Sequence, residues 1–398
     1  MSIRARISWV VLMTATAVAG LSVLVGAEEK TLTIGILGPL SGSAAPYGAE
    51  LVRGAEMRAE EINKAGGLKV GSDVYRIKLV SYDHKASAAE AATATNKLVF
   101  QDKVKYIIGN AIGATCNAAQ TITEPQKVLF GFVCWGTKNL GPDKPYSFRT
   151  IHSQWEVVEP FYRWIKEKHP TIKRVASISP NDTSGVDTNT AVEKAAKGLG
   201  FEVVTQETYE RGTKDFYPVL TKILATKPDM IDMAASLAGE AGLILKQARE
   251  LGFGGAKGWT GGQNPFLLVE VAGKDAAEGV WSPANVNVKS DYVNAAVRKF
   301  GEEYEKRYKE VPGVVAIGNY GAFDVFTKAM QEARSIETEK VLAALTQRPY
   351  ETVWGTLVIG GKETYGIDRQ FLYPVVISEI RGGKLVDLTQ VLPTALKK

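Results

Sequence analysis

The sequence predicts an α/β protein made of two doubly wound, Rossmann-like lobes with parallel central sheets. Three observations predict it. Short β-rich runs alternate with amphipathic helical runs, this βαβ rhythm occurs twice, and 398 residues suffice for two or three domains of about 100–200 residues each. The first series opens with 31–37 (TLTIGIL), an apolar run of buried-strand type. A helix over 47–65 follows, with Leu51, Ala55, Met57, Ala59 and Ile62 near helical spacing and Gly66-Gly67 to stop it. Next come a strand at 75–82, an alanine-rich helix at 86–100, a strand at 104–108, a helix at 115–124 ending before Pro125, and a strand at 128–133. The second series runs helix 156–168, strand 174–178, helix 186–199, strand 201–205, helix 216–225, strand 230–234 and helix 240–251. Towards the end, 291–308 and 315–333 read as long helices, and 352–359 and 372–380 as strands. No low-complexity linker divides the halves, so ordered crossings are expected to join the lobes.

Composition narrows the function. Hydrophobic residues at 45% and charged residues at 23% exclude a disordered chain. Two cysteines exclude a disulfide scaffold and a four-cysteine zinc site. A net charge of +5, spread along the chain, gives no clustered basic face for nucleic acid.

Residues 1–27 read as a secretory signal. Arg4 and Arg6 form a short basic start, 7–25 carry no charge, and Val25-Gly26-Ala27 places small residues at a cleavage site. The competing reading is an uncleaved anchor, because the apolar stretch could just span a bilayer. Cleavage near Ala27 leaves 371 residues with 46 basic and 43 acidic side chains, a balance of +3. The mature chain is then expected to be periplasmic, with no membrane insertion.

Motifs for catalysis are missing. There is no Gly-x-Ser-x-Gly elbow and no P-loop. The Gly35-x-x-Gly38 spacing does not give the Gly-x-Gly-x-x-Gly of a dinucleotide fingerprint, and Pro39 and Pro46 break the turn it needs. The three histidines, His84, His152 and His169, are scattered. His169 reads as a solvated helix end and His84 as a surface loop residue. Glu60-Glu61 and Glu302-Glu303 read as solvated helix faces.

From Leu32 onward the chain resembles the periplasmic solute-binding proteins of ABC importers, of the branched-chain amino acid (Leu/Ile/Val) type. Ile36-Leu37-Gly38-Pro39-Leu40-Ser41-Gly42 followed by Tyr47-Gly48 is similar to that family's opening, as is Gly54-Ala55-Glu56 leading to Glu61-Ile62-Asn63-Lys64-Ala65-Gly66-Gly67. Tyr106-Ile107-Ile108-Gly109, Phe148-Arg149-Thr150, Lys214-Asp215-Phe216 and the stretch 245–252 follow in family order. The resemblance implies a type I periplasmic binding protein, with two lobes on a three-crossing hinge that close on a ligand. It places the N-terminal lobe at 28–151 and 282–369 and the C-terminal lobe at 152–281 and 370–398. It implies a monomer without cofactor or catalysis, whose partners are a small-molecule ligand and ABC permease subunits. A ligand sensor for a membrane receptor is the alternative use of the same fold.

Ligands of open α/β sheets bind at the carboxyl ends of the strands. The stretch from Asn110 through Gly113, Ala114 and Thr115 to Cys116 runs from a strand end into a helix start, where free N–H groups favour a carboxylate. Thr115 either adds a hydroxyl to the ligand or only caps the helix. The family has a serine where this chain has Gly113. The resemblance makes Thr137 a second donor and puts the backbone of Trp135 and Gly136 in the wall; Trp135 is either a flat aromatic wall or a packing residue. Tyr47 aligns with an aromatic ligand contact, and alternatively packs its helix. Glu240 aligns with the carboxylate that binds a ligand ammonium, although an acid at a helix start is also a good dipole partner. Ser184 replaces a family tyrosine. Val315 aligns near a further aromatic, and Gln154 and Gln263 are additional candidates. An amino acid or related amine-bearing solute fits Glu240 and is the expected ligand; an aromatic acid fits Trp135 and Tyr47 but has no use for Glu240. Aromatic acids, amides and urea are alternative ligands within the family. Cys116 and Cys134 lie eighteen residues apart at the cleft edge. A disulfide and two buried free thiols both agree with that spacing.

Overall fold

A computed structural model of the chain describes residues 29–283, 285–393 and 396. The expected signal at 1–27 lies outside the described residues. Among the described residues, sixteen strands form two sheets. The first sheet holds β1 (Glu29–Gly38), β2 (Leu68–Val70), β3 (Asp73–Asp83), β4 (Tyr106–Gly109), β5 (Leu129–Phe132), β6 (Ser147–Arg149), β12 (Tyr350–Thr352), β13 (Gly355–Gly360) and β14 (Gln370–Leu372), in the order β12-β13-β14-β6-β5-β4-β1-β3-β2. The second holds β7 (Arg174–Pro180), β8 (Glu202–Tyr209), β9 (Met230–Asp232), β10 (Ala256–Gly258), β11 (Val280–Pro283), β15 (Val375–Arg381) and β16 (Lys384–Val391), in the order β16-β15-β11-β10-β9-β7-β8. The strands from β3 to β14 in the first sheet and from β8 to β11 in the second pair in parallel, with antiparallel strands at the margins.

The helices are α1 (Ala45–Lys64), α2 (Ala88–Asn96), α3 (Gly113–Thr123), α4 (Gln154–Lys168), α5 (Thr183–Gly198), α6 (Tyr217–Ala225), α7 (Ala238–Glu250), α8 (Pro265–Ala272), α9 (Lys274–Ala277), α10 (Ala295–Tyr308), α11 (Val314–Ala333), α12 (Thr338–Leu345) and α13 (Lys362–Tyr365). They cover both faces of each sheet, which is why the inner strands read as continuous apolar runs. On one face of the first sheet Ile34, Ile36 and Ile108 pack with Phe323 and Phe326 of α11. On the other, Leu37, Ile107 and Phe130 pack with Ala94 of α2 and Ala119 of α3. In the second sheet Val175 packs towards Val157 and Phe161 of α4, and Ile178 and Ile231 towards Leu220 and Ile244 of α6 and α7. The α4 core runs on without a break into Tyr47, Trp135 and Ile151 of the first lobe.

Several expectations change. The run 372–380 is two strands in different sheets, because β14 ends at Leu372 and β15 starts at Val375. Pro374 lies between them, and without an N–H it cannot continue a ladder. The run 352–359 is a hairpin, β12 turning into β13, with Gly355 at φ +87°. The helix expected from 291 starts at Ala295, where the Asn294 side chain accepts from Val297 N–H. His84 is fully buried, its Nε2 paired with Asn110 Oδ1 at 3.1 Å and its Nδ1 accepting from Ala86 N–H. His169 does end α4, but it is half-buried, its ring packed against Trp164 and Trp281 with centroids at 5.2 and 4.2 Å.

Candidate functional site

The carboxyl ends of both sheets meet at one cleft. From the first lobe come Tyr47 near the start of α1, Ala111 and Ile112 after β4, and Trp135 after β5; from the second come Ser184 of α5, Arg211 after β8, Ser236 after β9, and Gly261 and Gln263 after β10. They surround a cavity of about 60 Å³. The lobes touch across it. Tyr47 Oη donates to Gln263 O at 3.2 Å and accepts from Ala238 N–H at 3.4 Å. Thr137 N–H donates to Asp187 Oδ2 at 2.6 Å. The ring of Trp135 presses on Gly261, whose φ is +82°.

The first wall is rigid for identifiable reasons. Asn110 takes the left-handed conformation at φ +78°, which asparagine tolerates, and turns the chain out of β4. Its Oδ1 accepts from Thr115 Oγ1 at 2.5 Å, and Thr115 Oγ1 also donates to Ile112 O at 2.8 Å. Thr115 is thus fully buried and spent on the helix start, while Ala114 faces solvent. Gly113 lies so close to Ser184 that an added Cβ would meet its Oγ at 3.2 Å. Cys116 and Cys134 are joined by a disulfide, with Cα atoms 6.5 Å apart. The bridge ties α3 to the residue before Trp135. Arg149, fully buried at the end of β6, donates through Nε to Cys134 O at 2.7 Å and through Nη2 to Gly136 O at 2.5 Å. The Trp135 segment is held on both sides. The Trp135 Nε1–H is itself buried without a partner among the described residues.

Thr137 stands behind this wall. Its Oγ1 accepts from Gln154 Nε2 at 2.9 Å and from Trp155 Nε1 at 2.8 Å. Gln154 therefore braces Thr137, and Val315 is buried in the interlobe core. Neither is among the cavity-lining residues.

The second wall centres on an ion cluster that sequence reasoning missed. Glu240, buried in the first turn of α7, accepts from Tyr209 Oη at 2.8 Å, Arg211 Nη1 at 3.2 Å, Gly212 N–H at 3.1 Å and Leu237 N–H at 3.1 Å. Three of these donors crowd Oε2, and the fourth, Gly212 N–H, meets Oε1. Arg211 also donates through Nε to Asp182 Oδ2 at 2.5 Å, and it is Arg211 that borders the cavity. Burial works against its charge, but Asp182 and Glu240 outweigh that and raise its pKa. Burial, and then the Glu240 charge, push the Tyr209 hydroxyl up, so it stays a donor. Arg211 escaped notice because β8 runs to Tyr209, four residues beyond the expected strand end at 205. With that end correct, the carboxyl-end rule would have put Arg211 at the cleft.

Among the described residues no helix is long and apolar enough to cross a membrane, and no group of three His, Cys, Asp or Glu side chains is gathered as a metal site requires.

Two doubly wound lobes that close their strand ends over a small cavity define a hinged solute receptor. A profile of the periplasmic binding protein family matches residues 31–384, and the chain belongs to that family. This membership makes it an extracytoplasmic solute-binding protein. It is 28% identical over 351 residues to the leucine-, isoleucine-, valine-, threonine-, and alanine-binding protein of Pseudomonas aeruginosa, a match covering 87% of this chain and 90% of that one. Among solved structures it is similar to the branched-chain amino acid transporter substrate binding protein LivJ of Streptococcus pneumoniae in complex with isoleucine (TM-score 0.79, 24% identity, 92% of this chain and 100% of that one). A solute binding protein of an ABC transporter from R. palustris, in complex with 4-hydroxybenzoate, gives TM-score 0.79 at 21% identity over the same shares. These two likenesses establish the fold.

Proposed function

We propose that this protein is the monomeric solute-binding component of an ABC importer, exported by a signal cleaved near Ala27, and that it delivers its ligand to permease subunits without catalysis. Its lobes follow the sheets, with 29–151 and 285–373 in one and 152–283 and 374–393 in the other. The ligand is a small carboxylate with a flat apolar body and no amine. One observation carries this choice: Arg211 already occupies Glu240, where a ligand ammonium would bind. Displacing it would forfeit a charge-assisted bond of about 1.5–3 kcal/mol. Arg211 and the start of α3 at Gly113 favour a ligand anion. Tyr47 and Trp135 supply aromatic walls, and the unpartnered Trp135 Nε1–H suits a ligand oxygen.

An α-amino acid is the second reading, favoured by the 28%-identical amino acid binder and by Glu240 at the start of α7. Thermal shift and calorimetry with 4-hydroxybenzoate and isoleucine separate the two. The proposal expects 4-hydroxybenzoate to stabilise the protein and Arg211→Met to abolish the effect. Stabilisation by isoleucine alone, lost in Glu240→Ala, would overturn it.

A further inference from the structure

A second cavity, of about 200 Å³, lies inside the second lobe between the sheet, α7 and α9. Its walls are Ile231 and Met233 at the end of β9 and Ile244, Leu245 and Ala248 on one face of α7, all buried. Phe253 and Gly254, which precede β10, stand at its edge. The cavity shares no lining residue with the cleft. A cavity with apolar walls forfeits packing and lowers stability.

The residue out of place here is Lys257. It sits on β10, in the interior of the sheet, level with Ile231 of β9 on one side and Val280 of β11 on the other. Residues level with one another in neighbouring strands share a face, so Lys257 projects into the layer that Ile231 and Val280 make apolar. A lysine is rarely placed in such a layer, because desolvating its charge is costly. Its ammonium donates to the carbonyls of Ala276 (3.5 Å) and Glu278, and no carboxylate pairs with it among the described residues. Burial, and then the Arg249 charge, pull its pKa down. Arg249, itself exposed, brings a second cation to the same cavity, and its one ion pair among the described residues is with the exposed Asp275 at 3.5 Å. The arrangement is an apolar chamber with two cations and one carboxylate, Asp275, on its lining, a net positive charge that suits an amphiphilic anion.

We propose that this chamber is a second ligand site, distinct from the cleft, which takes a monocarboxylate with a compact apolar tail, its tail among Met233, Ile244 and Leu245 and its carboxylate on Lys257 and Arg249. The test uses octanoate as probe and calorimetry on the full chain. Octanoate is expected to bind wild type and Arg211→Met alike, and to bind Lys257→Met at least ten-fold more weakly. Methionine keeps the aliphatic volume, and an unchanged circular dichroism spectrum shows that the variant folds. Crystals soaked with 8-bromooctanoate are expected to show bromine between Met233 and Leu245. No octanoate binding at millimolar concentration, or binding lost in Arg211→Met and unchanged in Lys257→Met, would overturn the proposal.

Discussion

The six-membered ring of Trp135 lies against the Cα of Gly261 across the cleft, so close that a Cβ added at 261 would sit 2.4 Å from it. Closure depends on that bare Cα. Gly261→Val is expected to hold the lobes apart. Ligand affinity should fall more than ten-fold, and the radius of gyration in small-angle scattering should no longer contract on adding ligand. Unaltered contraction would reject this role for Gly261.

Glu240 holds the second wall together whatever the ligand. Removing its carboxylate leaves Arg211 with Asp182 and the Ala235 carbonyl and deprives Gly212 and Leu237 N–H of their acceptor. Glu240→Ala is predicted to lower stability by about 2–3 kcal/mol, read by urea unfolding without ligand. A loss under about 0.5 kcal/mol would show that water replaces these bonds freely.

The bridge between Cys116 and Cys134 links the two segments of the first wall. By the chain-entropy argument a loop of this length contributes about 3 kcal/mol. The double variant Cys116→Ser/Cys134→Ser should lose that stability and bind ligand several-fold more weakly. Mass spectrometry with and without reductant checks the bond itself, and equal melting temperatures would contradict the estimate.

Arg149 positions Trp135 through the carbonyls on either side of it. Arg149→Met strands those carbonyls and the buried Glu156 nearby, a predicted cost of about 3 kcal/mol or more. Lysine should rescue little, since one ammonium cannot reproduce the guanidinium fork. Tryptophan fluorescence reports whether Trp135 moves; full stability in Arg149→Lys would refute the fork argument.

His152 gives a pH signature at the hinge. It is buried, its Nε2–H donates to Tyr373 O at 2.8 Å, and burial drives its pKa down to about 3. The unfolded chain takes up the proton near pH 6.5 while the folded one resists. Stability is therefore full above about pH 6.5 and falls on acidification, by about 1.4 kcal/mol per pH unit until about pH 3. His152→Gln should flatten that slope in urea titrations between pH 6.5 and 4. Parallel slopes would mean that His152 is protonated in the folded state.

The doubly wound core was legible because its signal is local: an apolar run such as 31–37 can only be a buried strand, and the glycines at 66–67 end a helix. Tyr47, Trp135 and Ser184 stand out through the family resemblance, and Gln263 as a loop residue after a strand; all four border the cavity. Short strands such as β10 and β11, and the division at Pro374, were not legible, because pairing partners far along the chain define them. Thr115 and Glu240 read as ligand contacts, and no local pattern signals that Asn110 and Arg211 engage them. Hydrogen-bond saturation is a property of neighbours in space, and alignment to a family carries it poorly.

The pairing of Gln370 with Arg149 has a kinetic consequence. A ribosome or translocon releases the chain from its amino end, yet β6 waits for β14 until more than two hundred further residues have emerged. The first lobe therefore cannot mature while synthesis is under way, and folding dominated by such distant pairings is slow. Delayed maturation of this kind keeps a polypeptide threadable during export, and a circular permutant that brings β14 next to β6 would be expected to fold sooner and cross a membrane less well.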